Sequence, residues 1–423
     1  MEQRRIEDLQ EETTDSIKRN FALYFFNPIS KKNNSEYTLS MDIFFHRYAE
    51  LIVKNALKLK PGDVLSINTE EKHSKFAHLV ADIARHSTGN GSYIQIIEKG
   101  KVADVEEAST DYPIGKKPTA LLYLQTYSGY PETEEHKLYS APELQTFRLL
   151  AEPLGNPTPV LPFATAPIPS EAWGKVLEQE DGKESLVWQL FYDLFSIGED
   201  EYADIFSSRE EIISYECEKL NKIRLNKARI VNEEGTDLTL EFLAGSEFKT
   251  SIETTTSGKK FIPSIFSSDI FRALDKTKTS GYLNITHPII LFGSKINNLS
   301  LSFENGRIIS FDADISNGKL FNLYLEQDPQ AGVASMLTIA EDTNPASLVE
   351  LTAYPEWDRM RGVSITVGSP KSNAVDGDLV DKANDSIVSL SLSIGSDSTT
   401  ITLFDDDGNE YMIFEDGIIL EED

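Results

Sequence analysis

The sequence predicts two domains of different class: an α/β N-terminal domain with parallel strands and crossover helices, and a mostly antiparallel, β-rich α+β C-terminal domain. The chain has 423 residues, a length typical of two domains. Helix and strand patterns alternate through the first half, whereas short strands and tight turns dominate from about residue 228. We therefore expect an appended polar arm at 1–40, the α/β domain at 41–226 and the β-rich domain at 227–423.

In the N-terminal domain, runs of strand length alternate with helical patterns. The expected strands lie at 64–67, 93–97, 120–124 and 159–163. The expected helices lie at 42–58, 76–83, 144–150 and 185–226. A further helix begins after Ser170, which is its expected N-cap. This alternation predicts parallel strands, because parallel neighbours need a crossover connection between them.

In the C-terminal domain, apolar and polar residues alternate with the period of a strand. Strands are expected at 228–231, 238–242, 299–303 and 307–311. Hairpin turns are expected at 304–306, 407–408 and 416–417, where an Asn-Gly or Asp-Gly pair occurs. The stretch 316–340 has a helical pattern. The domain should therefore be an antiparallel sheet with a helix or two.

Composition excludes several classes of protein. The chain carries 40 Lys and Arg against 69 Asp and Glu, a net charge of −29 that repels nucleic acid and anionic membrane surfaces. No apolar stretch is long enough to span a bilayer, and the charged N-terminus lacks the apolar core of a signal peptide. Cys217 is the single cysteine, so neither an intramolecular disulfide nor a cysteine-based metal site can form. We expect a cytoplasmic protein with no nucleic-acid or membrane partner.

The residues alone define no catalytic constellation. The six histidines include no His-Glu-x-x-His pair, and the chain lacks a Gly-x-Ser-x-Gly elbow and a phosphate-binding glycine loop. Cys217 lies among acidic neighbours, which should raise its pKa rather than activate it. The run Asp405-Asp406-Asp407-Gly408 fits a hairpin turn better than a calcium loop, which needs oxygens at alternating positions and a later bidentate Glu.

Several segments resemble, in order, those of the thermophilic metallo-aminopeptidases of the aminopeptidase T and aminopeptidase S type. The similar segments are 46–53, 60–68, 169–173, 235–238, 299–314 and 407–417. The resemblance covers about 41–423 and leaves the arm outside. It implies removal of N-terminal residues from peptides, a homodimer, and two divalent metals, zinc or cobalt, held in the C-terminal domain by carboxylates, histidines and a tyrosine.

The positions that match the family's metal ligands have lost nearly all of these side chains. They are Asp269 and Met336 for two glutamates, Ser364 and Ser389 for two histidines, Lys371 for the tyrosine and Ser391 for an aspartate. Residues that surround the ligands in the family's motifs keep the register, including Asp358, Gly368, Asn384, Ser386, Ile394 and Gly395. Because the loss of even one supporting residue weakens metal binding about 10–100-fold, we expect no bound metal here.

Three hypotheses follow. The first is a non-catalytic homologue that acts as a binding or structural protein, with peptides as candidate ligands and no metal cofactor. The second is an active metal-dependent aminopeptidase with a displaced ligand set, drawn from Asp269, Asp312, Asp314, Glu326, Asp328, Glu356 and His287. The simpler interpretation of these acids is that they lie on the surface and in turns. The third is a different enzyme in which Lys371 activates Ser364, Ser389 or Ser391, although small serines can equally fill the space of lost metals.

Overall fold

The computed structural model describes residues 41–98, 101–107, 115–126, 158–178, 184–265, 267–292, 294–341, 344–395 and 398–420. The arm at 1–40 and the helix expected at 144–150 lie outside these ranges. None of the described helices has the length and apolar character that a membrane crossing requires.

The N-terminal domain is built on a five-stranded sheet in the order β3-β2-β1-β4-β5. Its strands are β1 (Leu65–Thr69), β2 (Tyr93–Glu98), β3 (Lys101–Glu107), β4 (Ala120–Thr126) and β5 (Phe163–Ile168). Strands β2, β1, β4 and β5 are parallel, and β3 returns antiparallel to β2. The parallel α/β prediction is confirmed, with β3 as an addition that the sequence did not indicate.

The helices of this domain pack an aromatic core against the sheet. They are α1 (Met41–Glu50) with a π-helical extension (Leu51–Ala56), α2 (Ser74–Thr88), α3 (Glu171–Glu178), α4 (Glu184–Phe195) and α5 (Tyr202–Asn221). Ser170 caps α3 as expected, because its Oγ accepts the backbone N–H of Trp173 at 3.1 Å. All three tryptophans of the chain, Trp173, Trp188 and Trp357, lie in this core. Trp357 comes from the C-terminal half of the chain.

The C-terminal domain contains two large antiparallel sheets. The first has the order β16-β15-β12-β7-β6-β20-β21-β22. Its strands are β6 (Leu225–Val231), β7 (Asp237–Glu241), β12 (Ser280–Ile285), β15 (Leu299–Glu304), β16 (Arg307–Asp312), β20 (Thr400–Asp405), β21 (Glu410–Glu415) and β22 (Ile418–Ile419). The three expected hairpin turns join β15 to β16, β20 to β21 and β21 to β22. The acidic run at 405–408 is thus the second of these turns.

The second large sheet has the order β19-β18-β17-β11-β8 and is the one that positions the candidate site. Its strands are β8 (Lys249–Thr250), β11 (Ile270–Ala273), β17 (Ala334–Ile339), β18 (Val363–Gly368) and β19 (Ser389–Gly395). Two small hairpins accompany it, formed by β9 (Glu253–Thr254) with β10 (Lys260–Phe261) and by β13 (Ile289–Leu291) with β14 (Ser294–Ile296). Two more α-helices lie in the described residues, α6 (Ile315–Leu325) and α7 (Pro355–Asp358), together with short 3₁₀ helices at Glu71–His73, Pro345–Leu348, Ser372–Ala374 and Val380–Lys382.

Three sequence-based assignments were wrong. The helix expected at 185–226 is two helices, α4 and α5, separated by turns at 196–201, and residues 225–226 belong to β6. The stretch 316–340 is helical only as far as Leu325, and its end forms the fully buried strand β17. A short run buried on both faces has no polar alternation, so its pattern does not distinguish strand from helix. The strand expected at 159–163 begins at Phe163, because Pro159 and Pro162 cannot donate to a sheet.

Two bridging segments connect the second sheet to the aromatic core. The first, with described residues 251–265 and 267–269, runs from β8 to β11, and the second, with described residues 340–341 and 344–362, runs from β17 to β18. In the first, the Ile265 N–H donates to the Thr165 carbonyl of β5 at 3.0 Å. In the second, Trp357 enters the core and its Nε1 donates to the Ile265 carbonyl at 3.2 Å. The two segments therefore contact each other inside the N-terminal core.

Candidate functional site

Four of the six positions that match the family's ligands share one face of the second sheet. Met336 on β17 lies opposite Thr366 on β18, which lies opposite Ser391 on β19. Ser364 is two residues from Thr366, and Ser389 is two residues from Ser391. Because side chains alternate along a strand, these positions point to the same side. The register inferred from the motifs therefore places them together.

Met336 is packed in an apolar cluster instead of facing a cavity. Its side chain is 1% exposed and lies with Phe271 and Ala273 of β11. Residues of the connection between β18 and β19 cover it, among them Val375 and Leu379. The position where the family has a glutamate ligand is thus part of a small hydrophobic core.

The hydroxyls of the three serines at ligand positions form hydrogen bonds with other groups of the protein. Ser364 Oγ donates to the Arg359 carbonyl at 3.0 Å, and Ser389 Oγ donates to the Ser369 carbonyl at 2.7 Å. Ser391 Oγ and Thr366 Oγ1 are 3.2 Å apart. None of these hydroxyls contacts Lys371 in a described hydrogen bond, so the structure does not bring together the serine–lysine site of the third hypothesis.

Asp269 lies in a buried ion cluster. Its carboxylate is fully buried and accepts the Ser251 hydroxyl at 2.5 Å and the Arg359 Nε at 3.0 Å. Lys371 Nζ lies 3.9 Å from the same carboxylate. Glu356 completes the cluster, with its carboxylate 3.0 Å from Arg359 Nη2 and 4.0 Å from Lys371 Nζ. Two carboxylates thus face two cationic side chains.

The charges of the cluster stabilise one another. Burial alone would raise the pKa of Asp269 and of Glu356, but Lys371 and Arg359 outweigh it and lower both. Burial and the nearby guanidinium lower the pKa of Lys371, against the opposing effect of Asp269, Glu356 and neighbouring acids. The Lys371 ammonium also lies 4.6 Å from the centre of the Phe271 ring, a cation–π contact.

The residues present do not fit a pair of divalent metals. Zinc and cobalt sites use carboxylate, imidazole or thiolate donors, whereas these positions offer one carboxylate, a thioether, three hydroxyls and an ammonium. Both oxygens of the one carboxylate, Asp269, are already hydrogen-bonded, one to Ser251 and the other to Arg359. A dication here would also be repelled by Arg359 and Lys371, which lie within 4.0 Å of the two carboxylates.

The carboxylates of the displaced-ligand hypothesis are dispersed. Asp269 and Glu356 of that set share the partners Arg359 and Lys371. Asp314 caps α6, and Asp328 accepts the Ser386 hydroxyl at 2.6 Å. Across the ranges that the structure describes, no three His, Cys, Asp or Glu side chains are placed to share a metal ion.

A different serine, Ser251, contacts Lys371. Lys371 Nζ donates a hydrogen bond to Ser251 Oγ at 2.7 Å, within the distance at which a lysine could act as the base for a serine nucleophile. However, Ser251 is 3% exposed, and its hydroxyl donates a hydrogen bond to the Asp269 carboxylate. The contact is therefore a structural one. Sequence reasoning missed Ser251 because it lies outside every motif and reaches the cluster only through folding.

Cys217 is inert, as the sequence indicated. Burial, with a smaller contribution from Glu218 and Glu247, raises the pKa of its thiol to about 12. The thiol donates to the Phe248 carbonyl at 3.2 Å. The acidic neighbours act in the expected direction, but burial is the larger cause.

An open cleft of about 300 Å³ adjoins the ion cluster. It combines polar and charged groups with a few aliphatic ones. It is lined by Pro159, Lys249, Thr250, Ile252, Glu253, Thr254, Ser372, Asn373, Val375 and Asp376. Residues 250 and 252 flank Ser251, and Ser372 follows Lys371, so the wall of the cleft and the ion cluster are formed by the same segments.

Comparisons with known proteins identify the family of this chain. The fold is similar to that of wild-type AmpT from Thermus thermophilus, with a TM-score of 0.69 and 16% identity over 90% of this chain and 100% of that one. Residues 158–418 match the family described as thermophilic metalloprotease (M29). Since this match spans more than half of the 423 residues, the chain belongs to the M29 family.

Curated relatives of similar length support this membership. Aminopeptidase PepS of Streptococcus thermophilus is 19% identical over 88% of this chain and 96% of its own length. Aminopeptidase 2 of Geobacillus stearothermophilus is 22% identical over 88% of this chain and 96% of its own. The family resemblance inferred from the motifs is confirmed.

Proposed function

We propose that this chain is a non-catalytic member of the M29 family, without resident metals, that acts as a binding or structural protein. The observation that carries the proposal is the ion cluster. Arg359 and Lys371 place two positive charges against Asp269 and Glu356, in the region where the register places the family's dications. The carboxylates that could attract a metal are thereby already neutralised.

Loss of the metals removes the chemistry of the family reaction. A divalent metal supplies a nucleophilic water at neutral pH and polarises the amide that is cleaved. The side chains at the six positions supply neither function. The burial of Met336 to 1% exposure further supports the proposal, because an apolar cluster occupies the face where substrate and metal would meet.

The cleft beside the cluster is the proposed place for a ligand. Its wall carries Glu253, the ion pair of Lys249 with Asp376, and Ile252 and Val375 as apolar contacts. That combination suits a peptide end or an exposed segment of a protein. We further propose that the protein works in the cytoplasm, as its single cysteine indicates, and forms a homodimer, as the resemblance to the family implies.

An active aminopeptidase with displaced ligands is the second candidate. The names of the relatives favour it, since each is called an aminopeptidase. It requires at least one metal held by side chains other than those at the six family positions.

Metal content of the purified protein tests the choice. The chain is incubated with zinc and with cobalt, desalted and analysed by elemental mass spectrometry, with Aminopeptidase 2 of Geobacillus stearothermophilus treated in parallel. We expect fewer than about 0.2 equivalents per chain, because first-row metals need several good donors to survive desalting. One or two tightly held metals, together with cleavage of aminoacyl test peptides, would overturn the proposal.

A Lys371→Met variant is the matched control. It removes the cation while keeping an unbranched side chain of similar length. If missing donors explain the absence of metal, this variant still binds none. If the ammonium alone excludes metal, the variant binds metal and the donor argument is wrong.

A further inference from the structure

The ion cluster lies at the ends of the bridging segments. Ser251 is the first residue of the first bridging segment and Asp269 is its last, immediately before β11. Glu356 and Arg359 belong to the second bridging segment, and Lys371 follows β18. The cluster therefore joins the point where one segment leaves the sheet, the point where it returns, and the helical turn of the other segment.

The same segments carry the contacts between the two halves of the molecule. From the first, the Ile262 N–H donates to the Ala56 carbonyl at 2.9 Å, and the Pro263 carbonyl accepts the Thr165 N–H at 2.7 Å. From the second, the Thr352 carbonyl accepts Nε1 of Trp173 at 2.8 Å. These bonds fix the far ends of the segments in the N-terminal core.

The positions of the segment ends next to the second sheet depend on the ion cluster. Asp269 and Arg359 are 0% and 4% exposed in their side chains, so each buried charge depends on its partners in the cluster, and the two lie 3.0 Å apart. Trp357, two residues before Arg359, packs 5.6 Å from Trp173 and 5.1 Å from Phe191 between ring centres. A shift of Arg359 would displace this tryptophan from the core.

We propose that the former metal centre has become an ion-pair junction that couples the two domains, with Arg359 and Lys371 in the electrostatic role of the lost metals. This inference rests on the proposed loss of the metals and assigns a role to the residues that remain. The junction holds both bridging segments against the sheet and thereby holds Trp357 in the N-terminal core. Its function is mechanical coupling, independent of any bound ion.

A double-mutant cycle on the full-length chain tests the junction. The variants are Asp269→Asn, Arg359→Gln and both together, with urea unfolding followed by tryptophan fluorescence. Each single variant removes the close partner of a buried charge, so that Arg359 keeps only the partly exposed Glu356, or Asp269 keeps only Ser251 and Lys371. Each should lower the ratio of folded to unfolded protein by on the order of 10- to 100-fold. The double variant should lose much less than the product of the two single losses.

The exposed pair Arg229 and Asp237 is the matched control. It has the same chemistry, with a 2.9 Å contact and side chains 53% and 57% exposed, but it lies on the outer surface of the first sheet. Arg229→Gln and Asp237→Asn should couple by less than about fivefold. A coupling between Asp269 and Arg359 that is no larger than this control would overturn the proposal.

If the Asp269 and Arg359 variants do not fold, Lys371→Met tests the junction instead. Its side chain is 17% exposed, so the variant should remain folded. We expect faster amide hydrogen exchange at 262–265 and 352–361, and unchanged exchange in strands β6, β7 and β20. Unchanged exchange in the bridging segments would overturn the proposal. Both readouts differ from metal content and peptide cleavage, so failure of the junction and failure of the non-catalytic assignment are distinguishable.

Discussion

Replacing Met336 by glutamate restores the charge that the family has at this position and tests whether a metal site persists there. The side chain is 1% exposed among Phe271, Ala273, Val375 and Leu379. Removing its apolar burial costs about 2 kcal/mol. A glutamate in this cluster must be protonated at pH 7, and shifting a carboxyl from a pKa of about 4.3 to above 7 costs a further ~4 kcal/mol. We therefore expect Met336→Glu to lose roughly 6 kcal/mol of unfolding free energy.

Urea unfolding measures this loss, with Met336→Leu as the control. That variant conserves volume and apolarity and should cost less than about 1.5 kcal/mol. The measurement is repeated with zinc and with a chelator. A metal that bound the native variant at 100 times its Kd would return about 2.7 kcal/mol. A Met336→Glu variant as stable as the parent, or one rescued by zinc, would refute the view that this position is a closed apolar cluster.

Two further predictions concern other parts of the fold. Asp63 pairs with Lys259 at 2.7 Å, and although burial opposes the effect, this ammonium and further hydrogen bonds lower the pKa of the carboxyl. Its contribution to stability is therefore present above about pH 4 and lost as pH falls further, so the difference in urea midpoint between the parent and Asp63→Asn should narrow from pH 7 to pH 3. Gly306 and Gly408 have φ of +81° and +82°, but a Cβ on Gly306 would lie 2.0 Å from a backbone carbonyl oxygen, whereas one on Gly408 meets nothing within 4 Å. Gly408→Ala should cost about 1–2 kcal/mol and Gly306→Ala considerably more, and equal thermal unfolding temperatures for the two variants would contradict this difference.

Local signals in the sequence predicted the local structure well. The Ser170 cap and the Asn305-Gly306 turn depend only on nearby backbone groups, and both occur as expected. The domain classes followed from the change in periodicity near residue 228. Strand β17 was misassigned because burial on both faces removes the polar alternation that identifies a strand.

The ion cluster could not be predicted, because it depends on long-range contacts. Ser251, Asp269, Glu356, Arg359 and Lys371 are spread over more than 100 residues of sequence and meet only after both bridging segments fold back. The motif register identified Asp269 and Lys371 as positions of interest. It gave no indication that Arg359 and Glu356 would complete their charge balance.

The retention of Asp269 is better explained by Arg359 than by a metal. Of the six family positions it alone keeps a carboxylate, which taken by itself suggests a residual metal site. In the folded protein that carboxylate is fully buried and bonded to Arg359 at 3.0 Å. Replacing it with a neutral residue would remove one of the two carboxylates that balance the buried guanidinium and would leave only the partly exposed Glu356. None of the other five positions holds a fully buried charge, because four of the side chains are neutral and Lys371 is partly exposed to solvent. A charge needed to balance another charge therefore accounts for the one acid that remains.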